Sequence, residues 1–259
     1  MGIYLFPKVE TRIEIWRAER DLQEYSERIA AIKNVASPYR ESPEIAQSFE
    51  KISLSENFSE KISHLEEKDI PKEKILTVPF ICQNPFRDEA HWKFHEESCE
   101  EAALLQTYLF MTNSSASPEK AHEIILDMIE WEKRPENFGR HKDLLGEEMK
   151  QFIVGYYHLP EESVFHVKNL NKILIQKIIT LGYPLIVPIQ GDLLRNPFYP
   201  YPGYHMLTVI GFTEDRVITN DVGTKRGEKY SYEWERFLSA NLPVGNDAFV
   251  ILSTARKKE

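Results

Sequence analysis

The sequence predicts an α+β domain, its helices packed against one side of an antiparallel β-sheet and preceded by an extra N-terminal helical segment. Three observations lead there. Helical periodicity dominates residues 99–181, and a continuous apolar run and strand-like patterns take over from Pro184. The runs 204–212 and 216–221 are separated by a tight turn and read as an antiparallel hairpin. A separate helical pattern at 10–36 is set off from the rest by a polar stretch, which divides the 259 residues into an extension, 1–74, and a main domain, 75–259.

In chain order, Ile15, Ala18, Leu22, Tyr25, Ile29, Ile32 and Ala36 follow the alternating three-and-four spacing of a heptad seam. Such a seam is short for a free coiled coil, so helix 10–36 is expected to pack on the main domain, on a partner or on a second copy. Ser37-Pro38 and Ser42-Pro43 break it, and 44–74 reads as a weak helix and linker ending near Pro71. Residues 75–83 form a short strand, at an edge because of Pro79. The region of Trp92 is a loop leading into a buried helix from Cys99 to about Met111. Ser98, three residues before Glu101, is the S-x-x-E capping box of that helix. Pro118 opens a second helix, with Ala121, Ile124, Ile125, Met128 and Trp131 at helical spacing. Residues 147–157 and 170–181 form two more, the latter closed by Gly182. Pro184 to Ile189 is a buried strand, and 191–203 is a loop bordering the cleft.

Composition removes several function classes. A net charge of −9 leaves no domain-wide basic surface for nucleic acid. No apolar run approaches the roughly 18 residues of a membrane span. The first residues lack the basic start and long apolar core of a signal peptide, so the compartment is unassigned and cytoplasmic by default. Two cysteines, Cys82 and Cys99, are too few for a disulfide scaffold but enough for one bond.

Cys99 stands at the first helical position, where backbone N–H groups and the helix dipole favour thiolate. Glu96, Glu97, Glu100 and Glu101 oppose this, since nearby carboxylates raise a thiol's pKa. A base must therefore come from elsewhere. Of the eight histidines, His205 is the one set on a core strand. A three-residue turn at 213–215 would pair Phe212 with Arg216 and Leu207 with Asp221, leaving Asp221 diagonal to His205 on one face, roughly 7 Å away between Cα atoms. A two- or four-residue turn would separate them unless a bulge intervened. Nucleophile, base and orienting carboxylate together make the logic of a Cys-His-Asp triad.

The runs Val78-Pro79-Phe80-Ile81-Cys82-Gln83-Asn84-Pro85-Phe86, Glu97-Ser98-Cys99-Glu100-Glu101-Ala102, Tyr204-His205-Met206-Leu207-Thr208-Val209-Ile210-Gly211-Phe212 and Thr219-Asn220-Asp221-Val222-Gly223-Thr224 together resemble the C39-like cysteine peptidases of bacteria. The resemblance spans about 75–240 and implies a papain-like fold, with Cys99 as nucleophile, His205 as base and Asp221 as its orienting residue. It also implies that the Gln83 side-chain amide shares an oxyanion hole with the Cys99 backbone N–H. Many members carry Cys-Gly-Pro where this chain has Cys99-Glu100-Glu101. Trp92, Asn196 and Tyr199 are candidates for shaping the cleft.

The expected activity is hydrolysis of a peptide or protein substrate through an S-acyl intermediate, with no cofactor and no metal. The same triad also serves amidase, deamidase or acyl-transfer chemistry. A third reading is a non-catalytic interaction module closed by a Cys82–Cys99 disulfide.

Overall fold

The computed structural model describes residues 58–198 and 203–252. The helix expected at 10–36 lies outside the described residues, as does Tyr199.

Among the described residues the chain order begins with helix α1 (Phe58–His64), strand β1 (Lys74–Ile75) and helix α2 (Glu89–His95). Helices α3 (Cys99–Met111), α4 (Pro118–Glu132) and α5 (Glu147–Tyr157) follow. Next come β2 (Val164–Lys168), α6 (Lys172–Thr180), β3 (Leu185–Gln190) and a single turn, α7 (Gly191–Leu194). Strands β4 (Tyr204–Phe212), β5 (Arg216–Asn220) and β6 (Tyr230–Glu233), helix α8 (Trp234–Asn241) and β7 (Asp247–Ile251) complete it. The strands form one antiparallel sheet in the order β2-β7-β3-β4-β5-β6. β1 pairs with the far end of β4, beyond the part that β3 covers.

Helix α3 is buried almost all round, with Ala102, Ala103 and Leu104 fully inaccessible, and such a helix belongs in the middle of a core. It packs with α4 and α5 on one face of the sheet, against Ile186, Met206 and Phe249. The alternate residues Leu185, Val187, Ile189, Leu207, Val209 and Val250 point the other way, into a second core closed by α6 and α8. The expectation of helices on one side is therefore corrected. The run Leu185 to Ile189 is apolar without alternation because both of its faces are buried.

The strand expected over 75–83 ends after Ile75, and Pro79 has no N–H with which to resume a ladder. Two side chains and one isolated backbone bond take over the pairing instead. Asn220 Nδ2 donates to Val78 O (3.0 Å), Ile81 N–H donates to Gln106 Oε1 (3.3 Å), and Gln83 N–H reaches Val222 O (2.8 Å). Gln106 also donates through Nε2 to Thr208 Oγ1 (2.7 Å) and Asn220 O (3.2 Å), so one buried amide ties α3 to β4, β5 and the segment that carries Gln83. Residues 89–95, expected as loop, form α2, whose first turn is capped by Asp88 Oδ1 accepting from His91 N–H (2.9 Å).

Helix α1 falls in the stretch read as weak helix and linker, yet Phe58 is buried. Its ring lies against Phe165 and Tyr183, with centroids 4.9 and 5.4 Å apart.

Candidate active site

The β4–β5 hairpin brings His205 and Asp221 together by a different route from the expected one. Phe212 pairs with Val217, so four residues separate the strands. Ile210 then bulges out, and below it Val209 faces Thr219 and Thr208 faces Asn220, which restores the register that sets Leu207 opposite Asp221. The bulged carbonyl is not lost, since Leu76 N–H donates to Ile210 O (2.8 Å). Next to it, a Cβ on Gly211 would lie 2.5 Å from Lys74 O, so the crossing of β1 over this point requires glycine.

Asp221 is fully buried and bound at both oxygens. Oδ1 lies 3.0 Å from His205 Nε2 and accepts from Gly223 N–H (3.2 Å). Oδ2 accepts from Asn196 Nδ2 (3.2 Å) and from the Tyr232 hydroxyl. Asn196 Nδ2 also donates to Tyr232 Oη (2.7 Å). Three partners other than His205 thus fix the carboxylate before it meets the imidazole. Asn196 was legible only as a cleft candidate. Tyr232, on a strand eleven residues past Asp221, carried no signal in the sequence. With Nε2–H donating to the carboxylate, Nδ1 is the basic nitrogen of His205.

Cys99 opens α3, as its spacing predicted, and its thiol packs against the backbone of Met206, the residue after His205. The expected capping box does not form. Ser98 N–H donates to His95 O (3.1 Å) and Ser98 has φ −100° and ψ 32°, outside the extended region from which a serine caps. Its hydroxyl is buried without a partner, and Glu101 turns toward His141 instead.

The thiol donates to Glu100 Oε2 at 2.9 Å, while Glu100 Oε1 accepts from Leu144 N–H at 3.0 Å. Burial, the Glu100 charge and the hydrogen bond to it hold the Cys99 thiol well above its ordinary pKa. Burial likewise raises the Glu100 carboxyl. The Cys99 thiol is thus held in its protonated form, directed at Glu100 Oε2.

Gln83 is buried behind this point. Its Nε2 donates to His95 O (2.8 Å) and Glu96 O (3.0 Å), both carbonyls of the segment leading into α3. Cys82, beside it, is also buried, and burial pushes its thiol up to about 11. Cys82 and Cys99 are both free, so the disulfide of the third reading is not formed. Trp92 lies on α2, with a buried indole N–H that has no partner.

The model of the Peptidase_C39 like family matches residues 75–247. The chain belongs to this family. The family segment begins at β1, just upstream of Gln83, and takes in Cys99, His205 and Asp221. Among solved structures, a Bacillus anthracis protein assigned as a C39-like peptidase is similar at 14% identity and a TM-score of 0.50, covering 73% of this chain and 100% of its own. That likeness concerns the fold, the papain-like α+β arrangement expected from the sequence. A Carica candamarcensis cysteine protease, CMS1MS2, solved with E-64, aligns at 14% identity and a TM-score of 0.41 over 71% of this chain and 99% of its own. Among curated proteins none matches the sequence.

Proposed function

We propose that this C39-like family member is a cysteine peptidase that hydrolyses peptide bonds through an S-acyl intermediate on Cys99. The observation that carries the reading is the Asp221 carboxylate, buried and held on both oxygens, with His205 Nε2 against it. A base oriented this way acts through Nδ1, and it stands one residue from the Met206 backbone on which the Cys99 thiol rests.

In the proposed cycle the Cys99 proton passes to His205 Nδ1 as sulfur attacks the scissile carbonyl. The carbon–sulfur bond forms, the carbon–nitrogen bond breaks, and the departing amine takes the proton from His205. Water, deprotonated by the same imidazole, then cleaves the thioester and frees Cys99. Asp221 stabilises the imidazolium in both halves. The oxyanion is received by the Cys99 N–H, which at the first helical position has no intrahelical acceptor, and by Gln83 Nε2. Two rearrangements from the resting geometry are required: Sγ leaves Glu100 for His205, and Gln83 exchanges one of its two carbonyl acceptors for the substrate oxygen.

The test is incubation of the full chain with a mixed peptide library, using wild type, Cys99→Ala, His205→Ala and Asp221→Ala, with products read by mass spectrometry. New peptide termini in wild type alone support peptidase action. Released ammonia or cross-linked product instead assigns the triad to amidase or transferase chemistry. No product, together with iodoacetamide labelling of Cys99 that is unchanged by His205→Ala, overturns the reading.

A further inference from the structure

Behind the nucleophile, three side chains far apart in sequence converge. Glu101 comes from the first turn of α3, Glu132 ends α4, and His141 stands on the loop between α4 and α5. One ligand atom from each lies within 4.8 Å of the others, and His141 Nε2 is 2.9 Å from Glu101 Oε1. Both glutamates are fully inaccessible to solvent. None of their four carboxylate oxygens has a donor in good hydrogen-bond geometry, and what lies around them is the other carboxyl, the Lys142 backbone amide and the His141 ring.

Two buried carboxylates side by side are costly unless a proton or a cation lies between them. A carboxyl pair built only for stability would be expected to draw on backbone N–H groups, as Glu100 does with Leu144. This pair instead has the His141 imidazole beside it, with Nε2 2.9 Å from Glu101 Oε1. We propose that Glu101, Glu132 and His141 bind one divalent transition-metal ion.

The donor set selects the class. Imidazole with two carboxylates suits Zn2+ or Fe2+ better than Ca2+ or Mg2+, which prefer all-oxygen shells. Zinc–ligand bonds of about 2.0–2.2 Å put neighbouring ligand atoms about 3.4 Å apart in a tetrahedron, inside the spread found here. The ion's role is positioning. It would tie the α4–α5 loop to the helix that begins at Cys99, and that loop supplies the Leu144 N–H bound to Glu100, the acceptor of the Cys99 thiol. Nothing in the sequence flags this site, since 101, 132 and 141 form no ligand motif, and the reading from sequence expected no metal.

The test uses the full chain stripped with chelator, then dialysed against Zn2+ and assayed for metal content and affinity. One zinc per chain is expected, weakened at least about tenfold by Glu132→Gln and by His141→Ala. His122→Ala, which alters the separate histidine cluster on α2 and α4, is expected to leave it unchanged. Co2+ in the wild type supplies a reading that needs no variant: its spectrum is expected to show oxygen and nitrogen ligation without a thiolate charge-transfer band. Substoichiometric zinc in wild type, a cobalt–thiolate band, or full binding retained by both ligand variants would each overturn the proposal. Metal content is read without substrate, so the result stands apart from the peptidase reading.

Discussion

His95 provides the sharpest test of how the segment before Cys99 is held. Its ring is wholly buried at the end of α2, with Nε2 2.8 Å from His122 Nδ1 and with Nδ1 buried without a partner. Burial, with His122 and His91 adding repulsion, lowers its pKa to about 3 from 6.5. The folded chain therefore refuses a proton that the unfolded chain takes. Above pH 6.5 both states are neutral and the effect vanishes, and it grows as pH falls from 6.5 toward 3. Between about pH 7.5 and about pH 5 the loss is about 2 kcal/mol, at about 1.4 kcal/mol per pH unit below 6.5. The assay is urea unfolding of wild type and His95→Gln at both pH values. The buried carboxyls of Glu100, Glu101 and Glu132 have raised pKa values and act in the opposite direction, but they do so in both proteins and cancel in the difference. Wild type should lose about 2 kcal/mol more than His95→Gln on acidification. Equal losses, within about 0.5 kcal/mol, would refute the reasoning. His95 O accepts from both Gln83 and Ser98, so acid should loosen this junction first, measurable as faster amide exchange at Ser98.

Three further outcomes are expected. Glu100→Gln removes the charge that opposes thiolate formation, so iodoacetamide should label Cys99 at least about tenfold faster near pH 8, because unit charges this close repel by several kcal/mol even at an effective dielectric constant of 20. An unchanged rate would mean that burial alone controls the thiol. Tyr232→Phe removes one of the two donors on Asp221 Oδ2 and should lower kcat about tenfold with KM nearly constant, the fold being kept because the ring remains in place; an unaltered kcat would show that the carboxylate needs no such support. Phe58→Ala should cost about 3 kcal/mol in urea unfolding, since a buried ring leaves a gap between Phe165 and Tyr183; a loss below about 1 kcal/mol would mean that α1 is only loosely attached.

What could be read from the sequence was what depends on neighbours in the chain. Helices α3, α4 and α5 and strand β4 begin where prolines and periodicity place them. The pairing of His205 with Asp221 was also accessible, because strand parity is local arithmetic, although the chain reaches it through an extra turn residue and a compensating bulge. The capping box at Ser98 misled because Glu101 had stronger claims on it from Glu132 and His141, residues that only folding brings near. The short β1 and the side-chain ladder over 76–83 depend on Asn220 and Gln106, more than 20 residues away in sequence. Strand β7 pairs with both β2 and β3 and owes its place to partners on two sides. Gln83 was placed by resemblance, and its two carbonyl acceptors could not have been named in advance.

The bulge at Ile210 has a consequence for how this hairpin tolerates change. The residue that the connection has beyond three and the single unpaired residue at the bulge are two one-residue shifts that cancel, and only their combined parity decides whether Asp221 shares a side with His205. Deleting one residue at the tip should therefore be repaired by ironing out the bulge, whereas the same deletion with Ile210 pinned by Leu76 would turn the carboxylate away from the imidazole. Length at the tip and irregularity in the strand act as a two-part parity code, and viable hairpins of this kind should change both together or neither.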